Sequence, residues 1–76
     1  MALLKAMKEW RVIVGNNVRR LRLAKSMTQE QLAFEAELDL TYIGGIERGR
    51  RNPSLIAMAR IADALDENLI EIVREP

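Results

Sequence analysis

The segment TQEQLAFEAELDLTYIGGIERG, residues 28–49, decides the fold because it holds the start and end signals of two short helices. Thr28 can accept a hydrogen bond from the backbone N–H of Gln31, and the Gln31 side chain can bond in return to the N–H of Thr28, which forms a capping box. Asp39 can cap a second helix in a similar way, and Gly49 can end that helix in the left-handed conformation. The segment therefore predicts two helices joined by a short turn.

An apolar stripe predicts a long helix before this segment, from about Leu3 to Lys25. Apolar residues recur there at steps of three and four, the spacing that brings side chains to one face of a helix. The members of the stripe, all expected in the core, are Leu3, Met7, Trp10, Val14, Val18 and Leu21. Gly15 is a weak point in this helix, because glycine lowers helix stability.

Two more helices are predicted after the segment. Ser54 can cap the first of them, with Asn52 as a rival cap. Its expected core residues are Leu55, Met58, Ile61, Ala62 and Leu65. Asp66 can cap the last helix, residues 67 to about 74, whose expected inward-facing residues are Leu69, Ile72 and Val73. Short helices without an alternating strand pattern predict an all-α fold, a compact five-helix bundle that contains a helix-turn-helix in a single domain of residues 1–76.

The composition argues against several classes of function. The chain has no cysteine and no histidine, so the usual ligands of zinc, the thiolate nucleophile and the commonest general base are missing. Its carboxylates are scattered among basic neighbours, which does not favour a paired acid–base site. We therefore expect no enzyme, no metal and no cofactor, and no small-molecule ligand is evident. Without a long uncharged apolar run or an export signal, we expect a cytoplasmic protein that does not associate with membranes.

The net charge of +1 conceals an uneven distribution of charge. Residues 1–60 carry eleven basic and six acidic side chains, whereas residues 61–76 carry one basic and five acidic side chains. One end of the molecule can therefore face phosphate while the other end faces away from it, which favours nucleic acid as a partner. The helix pattern alone leaves two interpretations open, a DNA-binding helix-turn-helix and an ordinary helical hairpin.

The residues in and around the segment resemble the Cro/repressor (XRE-like) helix-turn-helix family, and within it the restriction-modification controller proteins. The matching motifs are Arg19-x-x-Arg22, Thr28-Gln-Glu-Gln-Leu-Ala33, Tyr42-Ile43, Ile46-Glu47-Arg48-Gly49 and Arg51-Asn52-Pro53-Ser54-Leu55. The resemblance covers about Val14 to Leu65. It implies a lambda-repressor-like domain that binds double-stranded DNA with a recognition helix at about residues 39–48 in the major groove. Such a protein is a bacterial or phage transcriptional regulator that acts as a homodimer on an inverted-repeat operator.

The resemblance also implies roles for individual residues. DNA contacts are expected from Thr28, Gln29, Leu40, Thr41, Tyr42, Gly44, Gly45, Arg48, Arg50, Arg51 and Asn52. Gln29 is similar to a glutamine that binds a DNA phosphate beside a helix N-terminus, where free N–H groups attract anions. Leu40, Thr41 and the two glycines are expected on the exposed front of the recognition helix. Arg22 and Glu47 match a largely buried ion pair that joins the first and third helices.

Three positions depart from the pattern of the family, and one of them is Gly44, which stands where relatives often have a serine and so lacks its hydroxyl. Leu40 stands where relatives often have an arginine, and it can contact at most a thymine methyl group. Direct readout then depends on Thr41 and Tyr42, with DNA shape or Arg51 contributing the rest. Glu37 stands where relatives usually have glycine, so it must adopt a positive φ or shift the turn.

The outer faces of the last two helices suggest a site of self-association. Ile56 and Ile70 fall about 100° or more away from the stripes that fill the core, so we expect them to be exposed and to form the dimer interface. A second hypothesis is an antitoxin or anti-repressor, in which a helical surface of this kind binds a protein partner instead.

Overall fold

The computed structural model describes residues 8–76, which form α1 (Trp10–Ala24), α2 (Gln29–Ala36), α3 (Leu40–Glu47), α4 (Leu55–Ala64) and α5 (Leu69–Val73). No strand occurs in this range, so the predicted all-α fold with five helices is confirmed. The predicted start of the first helix near Leu3 is wrong as a continuous helix, because Lys8 and Glu9 are not helical and α1 begins at Trp10. The predicted stripe members Leu3 and Met7 lie outside the described residues. Within residues 8–76, no helix has the length and apolar character needed to cross a membrane.

Side-chain caps begin the three middle helices where the sequence predicts them. Thr28 and Gln31 form the capping box, with the Thr28 Oγ1 accepting from the Gln31 N–H at 3.0 Å and the Gln31 Oε1 accepting from the Thr28 N–H at 2.8 Å. The Asp39 carboxylate accepts from the N–H of Thr41 at 3.2 Å, and Ser54, not Asn52, caps α4. Each cap satisfies a backbone donor that a helix N-terminus leaves free.

The first four helices end in the same way, with a residue in the left-handed conformation directly after the last turn. These residues are Ser26, Glu37, Gly49 and Asp66, with φ between 55° and 74°. After α2, for example, the N–H of Leu38 donates to the carbonyl of Ala33 at 2.9 Å, as in a Schellman motif. Glu37 thus meets the geometry of the turn by adopting a positive φ of 57°.

The predicted cap of the last helix is wrong. Asp66 ends α4 with a φ of 55°, and the N–H of Glu67 bonds back to the carbonyl of Ala62 at 2.9 Å. Helix α5 consequently begins at Leu69, after Asn68, whose side chain makes no capping hydrogen bond. The same residue type can cap a helix or end one, and here the closure of α4 uses it.

The core lies between all five helices. Its fully buried members with large side chains are Val18, Leu32, Ile43, Ile46, Ile61, Leu65 and Ile72. Three residues predicted in the core are exposed instead: Trp10, Leu55 and Val73. Trp10 and Val73 border an open cavity of about 210 Å³ between α1, α4 and α5, and Leu55, the first residue of α4, extends beyond the end of the packed core.

Gly15 is required by packing, which corrects its interpretation as a weak point. Helix α1 crosses the end of α3 so closely that a Cβ atom on Gly15 would lie 2.3 Å from the carbonyl oxygen of Ile46. Asn17, two residues further along α1, donates from its amide to the carbonyls of Ile72 at 2.9 Å and Arg74 at 2.8 Å. Helix α1 therefore fixes the positions of both α3 and α5.

Candidate nucleic-acid interface

Helices α2 and α3 pack against each other through small and apolar residues around the turn at Glu37. Ala33 and Ala36 are buried on α2, and Ile43 and Ile46 are fully buried on α3. Because these residues use the inner faces of both helices, the outer face of α3 is free to contact a partner. This is the relation between the two helices of a helix-turn-helix.

Leu40 and Thr41 lie on this outer face at the start of α3, where the structure exposes both of them. One helical turn later, the same face continues at Gly44 and Gly45, because residues four apart lie on one side of a helix. The expectation that these two glycines are exposed is wrong. Both are buried, because arginine side chains lie over them.

The two arginines that cover the glycines are Arg48 and Arg51. A Cβ atom on Gly44 would lie 3.1 Å from the Nη1 atom of Arg48, and a Cβ atom on Gly45 would lie 2.7 Å from the Cγ atom of Arg51. The absence of side chains at both glycines is therefore what allows the arginines to lie along α3.

Tyr42 also contacts the Arg51 guanidinium. The guanidinium carbon lies 5.5 Å from the centre of the Tyr42 ring, within the range of a cation–π interaction. Arg51 thus lies against Gly45 and the Tyr42 ring, although it lies outside the helix in sequence. The sequence does contain a signal for this arrangement, two adjacent glycines on the outer face followed by arginines within seven residues, but its meaning depends on the path of the chain after α3.

A buried ion pair connects α1 to the end of α3. Arg22 donates from Nε to the Oε2 atom of Glu47 at 2.7 Å and from Nη2 to the Oε1 atom at 2.9 Å, in a bidentate arrangement. The side chains of Arg22 and Glu47 are only 9% and 2% exposed. The hydrogen bond that Arg22 donates to Glu47 raises the pKa of Arg22 above its ordinary value, in opposition to the effect of burial. Arg22 also donates to the carbonyl of Met27 at 2.8 Å, which fixes the chain just before α2.

Gln29 extends this network to the surface. Its Nε2 atom donates to the Oε1 atom of Glu47 at 2.9 Å, and the side chain is half-buried beside Gly44. One amide proton of Gln29 is therefore used inside the protein, and the second proton remains for another acceptor. Thr28, the residue before Gln29, uses its hydroxyl as the cap of α2.

The remaining predicted contact residues lie after α3. Arg50 and Asn52 are exposed in the loop between α3 and α4, next to Arg51. Within residues 8–76, the guanidiniums of Arg48, Arg50 and Arg51 form no ion pair with a carboxylate. The outer face of α3 and the following loop thus carry three cations whose charge is available to an anionic partner.

The two isoleucines predicted at a dimer interface lie elsewhere on the molecule. Ile56 on α4 is 63% exposed and Ile70 on α5 is 64% exposed, and the two helices pack against each other. They are the most exposed of the isoleucines in residues 8–76.

Comparison with known proteins agrees with this geometry. The helix-turn-helix family HTH_3 matches residues 18–72. The control protein C.BamHI of Bacillus amyloliquefaciens is 54% identical over 56 residues, which cover 72% of this chain and 69% of that protein. The structure of the restriction-modification controller protein C.AhdI from Aeromonas hydrophila has a TM-score of 0.80 at 47% identity, over 82% of this chain and 94% of that chain.

A second solved structure contains DNA. The restriction-modification controller protein C.Esp1396I, as a tetramer in complex with its natural 35-base-pair operator, has a TM-score of 0.77 at 33% identity, over 91% of this chain and 100% of that chain. Since the family matches most of the chain and these relatives cover most of it as well, the chain belongs to the XRE-like helix-turn-helix family of DNA-binding regulators, and it is similar to the restriction-modification controller proteins.

Proposed function

We propose that this protein is a sequence-specific transcriptional regulator that binds an inverted-repeat operator as a homodimer, with α3 in the major groove. The observation that carries the proposal is the outer face of α3, where Arg48 and Arg51 lie over Gly44 and Gly45 and have no carboxylate partner within residues 8–76. A guanidinium can bind a guanine edge or a phosphate, and the two glycines let this part of the helix face approach the floor of the groove.

Contacts to the DNA backbone are proposed on both sides of this face. Gln29 lies in the first turn of α2, where the free amide proton and the positive end of the helix favour a phosphate. Arg50 and Asn52 lie in the loop after α3 and can bind the phosphates on the opposite side of the groove. Such contacts fix the position of α3 on the duplex, and base contacts by Thr41 and Arg51 then supply the sequence preference.

A homodimer is proposed because one copy of α3 offers few base contacts. Each good contact discriminates against the wrong base by only about 1–3 kcal/mol, so two copies are needed for a useful preference. Ile56 on α4 and Ile70 on α5 present exposed apolar side chains. Ile70 lies among residues 61–76, where acidic residues predominate, and α4 packs against α5. That surface is unsuited to DNA and suited to a second copy related by a two-fold axis.

The proposed mechanism is binding without chemistry. A dimer bound at a promoter changes transcription by occupying the promoter or by lying next to it. Operator DNA of a bacterium or a phage is in the cytoplasm, which is therefore the proposed place of action. The operator-bound tetramer of C.Esp1396I supports this type of mechanism for a chain of similar fold.

Titration of labelled duplex DNA with the protein at two salt concentrations tests the proposal. We expect tight binding to an operator duplex, weaker binding to an unrelated duplex, and a loss of affinity with salt whose slope is about 0.9 for each phosphate neutralised. The bound state should contain two chains for each inverted repeat. Equal affinity for every duplex, or no binding at low salt, would contradict the proposal.

A further inference from the structure

The outer face of α3 has an apolar end and a cationic end. Leu40, Gly44 and Arg48 follow one another at four-residue steps and thus form one row along the helix. Arg48 and Arg51 supply positive charge near the end of α3, whereas Leu40, its first residue, supplies only carbon atoms. The side chain of Leu40 is 43% exposed, so much of its apolar surface is available to a partner.

The position of Leu40 limits what it can recognise. Asp39, the residue before it, accepts a hydrogen bond from the N–H of Thr41 and so fixes the backbone of the first turn of α3, on which Leu40 lies. Leucine has no donor or acceptor, so it cannot bond to the polar edge of any base. The major groove offers one apolar group to such a side chain, the methyl group at C5 of a pyrimidine.

We propose that Leu40 is a specificity-determining residue that reads the C5-methyl group of a pyrimidine in each half-site of the operator. This inference rests on the proposed function, because it assumes that α3 lies in the major groove. Two bases carry a methyl group at this position, thymine and 5-methylcytosine. The contact is the same for both, so Leu40 also makes binding sensitive to cytosine methylation wherever the contacted base is a cytosine.

The size of the effect follows from the size of the group. Burying one methyl group is worth about 0.8 kcal/mol, which corresponds to about a fourfold change in affinity for one half-site. Two half-sites in a symmetric operator give about a sixteenfold change when the methyl group is removed from both. This change in affinity is moderate and follows the methyl group of the base. The loss of a hydrogen bond or of a charge would not follow that methyl group.

Substitution of single atoms in the DNA tests this inference. An operator is first selected with the wild-type protein from a pool of random duplexes. Each thymine in its half-sites is then replaced by deoxyuridine, which removes only the methyl group, and each cytosine by 5-methylcytosine, which adds only that group. The affinities of the wild-type protein, Leu40→Ala and Leu23→Ala are compared on every duplex. Leu23 is a matched control, because it is 51% exposed and lies on α1, beside Pro76.

We expect one pyrimidine in each half-site whose methyl group strengthens binding by the wild-type protein and by Leu23→Ala, with little effect on Leu40→Ala. If deoxyuridine weakens binding, the methyl group that Leu40 contacts belongs to thymine. If 5-methylcytosine strengthens binding, the contacted base is a cytosine and the protein recognises its methylated form. If the protein binds its operator selectively, but no methyl group affects binding in a way that Leu40→Ala abolishes, this inference is overturned. The proposed function then stays intact. A protein that selects no sequence at all would overturn both.

Discussion

Replacement of Glu47 with alanine removes the carboxylate that neutralises a buried guanidinium. In the folded protein, Arg22 donates two hydrogen bonds to this carboxylate, at 2.7 and 2.9 Å, and Gln29 donates a third at 2.9 Å. The Arg22 side chain is 9% exposed, so water cannot fully replace these bonds without some opening of the structure. Glu47→Ala should therefore leave a charge in the protein interior with only the carbonyl of Met27 as a partner.

The expected loss of stability is large for a chain of 76 residues. Removal of one partner of a buried ion pair costs about 3–5 kcal/mol. Domains of this size have a free energy of unfolding of about 4–11 kcal/mol, at roughly 0.05–0.15 kcal/mol per residue. Each kcal/mol lowers the melting temperature of a small domain by about 4–8 °C, so we expect a decrease of at least about 12 °C.

Thermal melting followed by circular dichroism measures this decrease, and two controls define its cause. Glu71→Ala removes a surface carboxylate that pairs with Arg74, whose side chain is 57% exposed, and the melting temperature should change by no more than about four degrees. The double variant Arg22→Met with Glu47→Leu removes both charges, so it should recover most of the lost stability. A decrease of only about two degrees in Glu47→Ala, or a double variant as unstable as the single one, would refute the reasoning.

Three further predictions concern the surfaces proposed for DNA and for a second copy. Arg50→Ala with Arg51→Ala should weaken binding to many sequences and reduce the salt slope by about one unit for each phosphate that the variant no longer neutralises, as measured by titration at several salt concentrations. Leu40→Arg should add about 1–3 kcal/mol of discrimination in favour of a guanine at one position of the selected site, because it places a guanidinium at the start of α3. Ile56→Glu with Ile70→Glu should give a monomer in sedimentation and a large loss of operator affinity with unchanged helicity, because like charges then meet across the two-fold axis.

Each of these predictions has its own control or contradicting result. Arg19→Ala removes an exposed arginine beside Pro76, and it should leave the salt slope unchanged. An unchanged slope in the Arg50 and Arg51 variant would exclude both residues from phosphate contacts and would leave Arg51 only its proposed base contact. An unchanged selected site in Leu40→Arg would show that this position does not face the bases. A variant of Ile56 and Ile70 that stays dimeric would place the interface on another surface.

The starts of the helices are predictable because a cap depends on residues within three positions of each other. Thr28 with Gln31, and Ser54, occupy the predicted positions for this reason. The end of α4 is less predictable, because the left-handed conformation is adopted here by glycine, serine, aspartate and glutamate, and only Gly49 has the residue type that announces it. The sequence pattern accordingly assigns Asp66 to the wrong helix.

The arrangement of the outer face of α3 could not be predicted, because it depends on contacts between residues that approach one another only in the folded chain. A glycine on this face is expected to be exposed, yet Gly45 is covered by Arg51, which reaches it from the loop after the helix. At Gly15, by contrast, the backbone of Ile46 on another helix leaves no room for a side chain. The sequence places these residues on faces of helices, and only the packed chain determines what lies over them.

Selection of DNA from a random duplex pool tests the central claim most directly, because it requires no knowledge of the operator. Protein-bound duplexes are recovered over several rounds and sequenced. We expect an inverted repeat whose half-sites are about one helical turn apart, roughly 34 Å from centre to centre. A pool without enrichment, or a single unrepeated motif bound by one chain, would contradict the proposed binding of an inverted repeat by a homodimer.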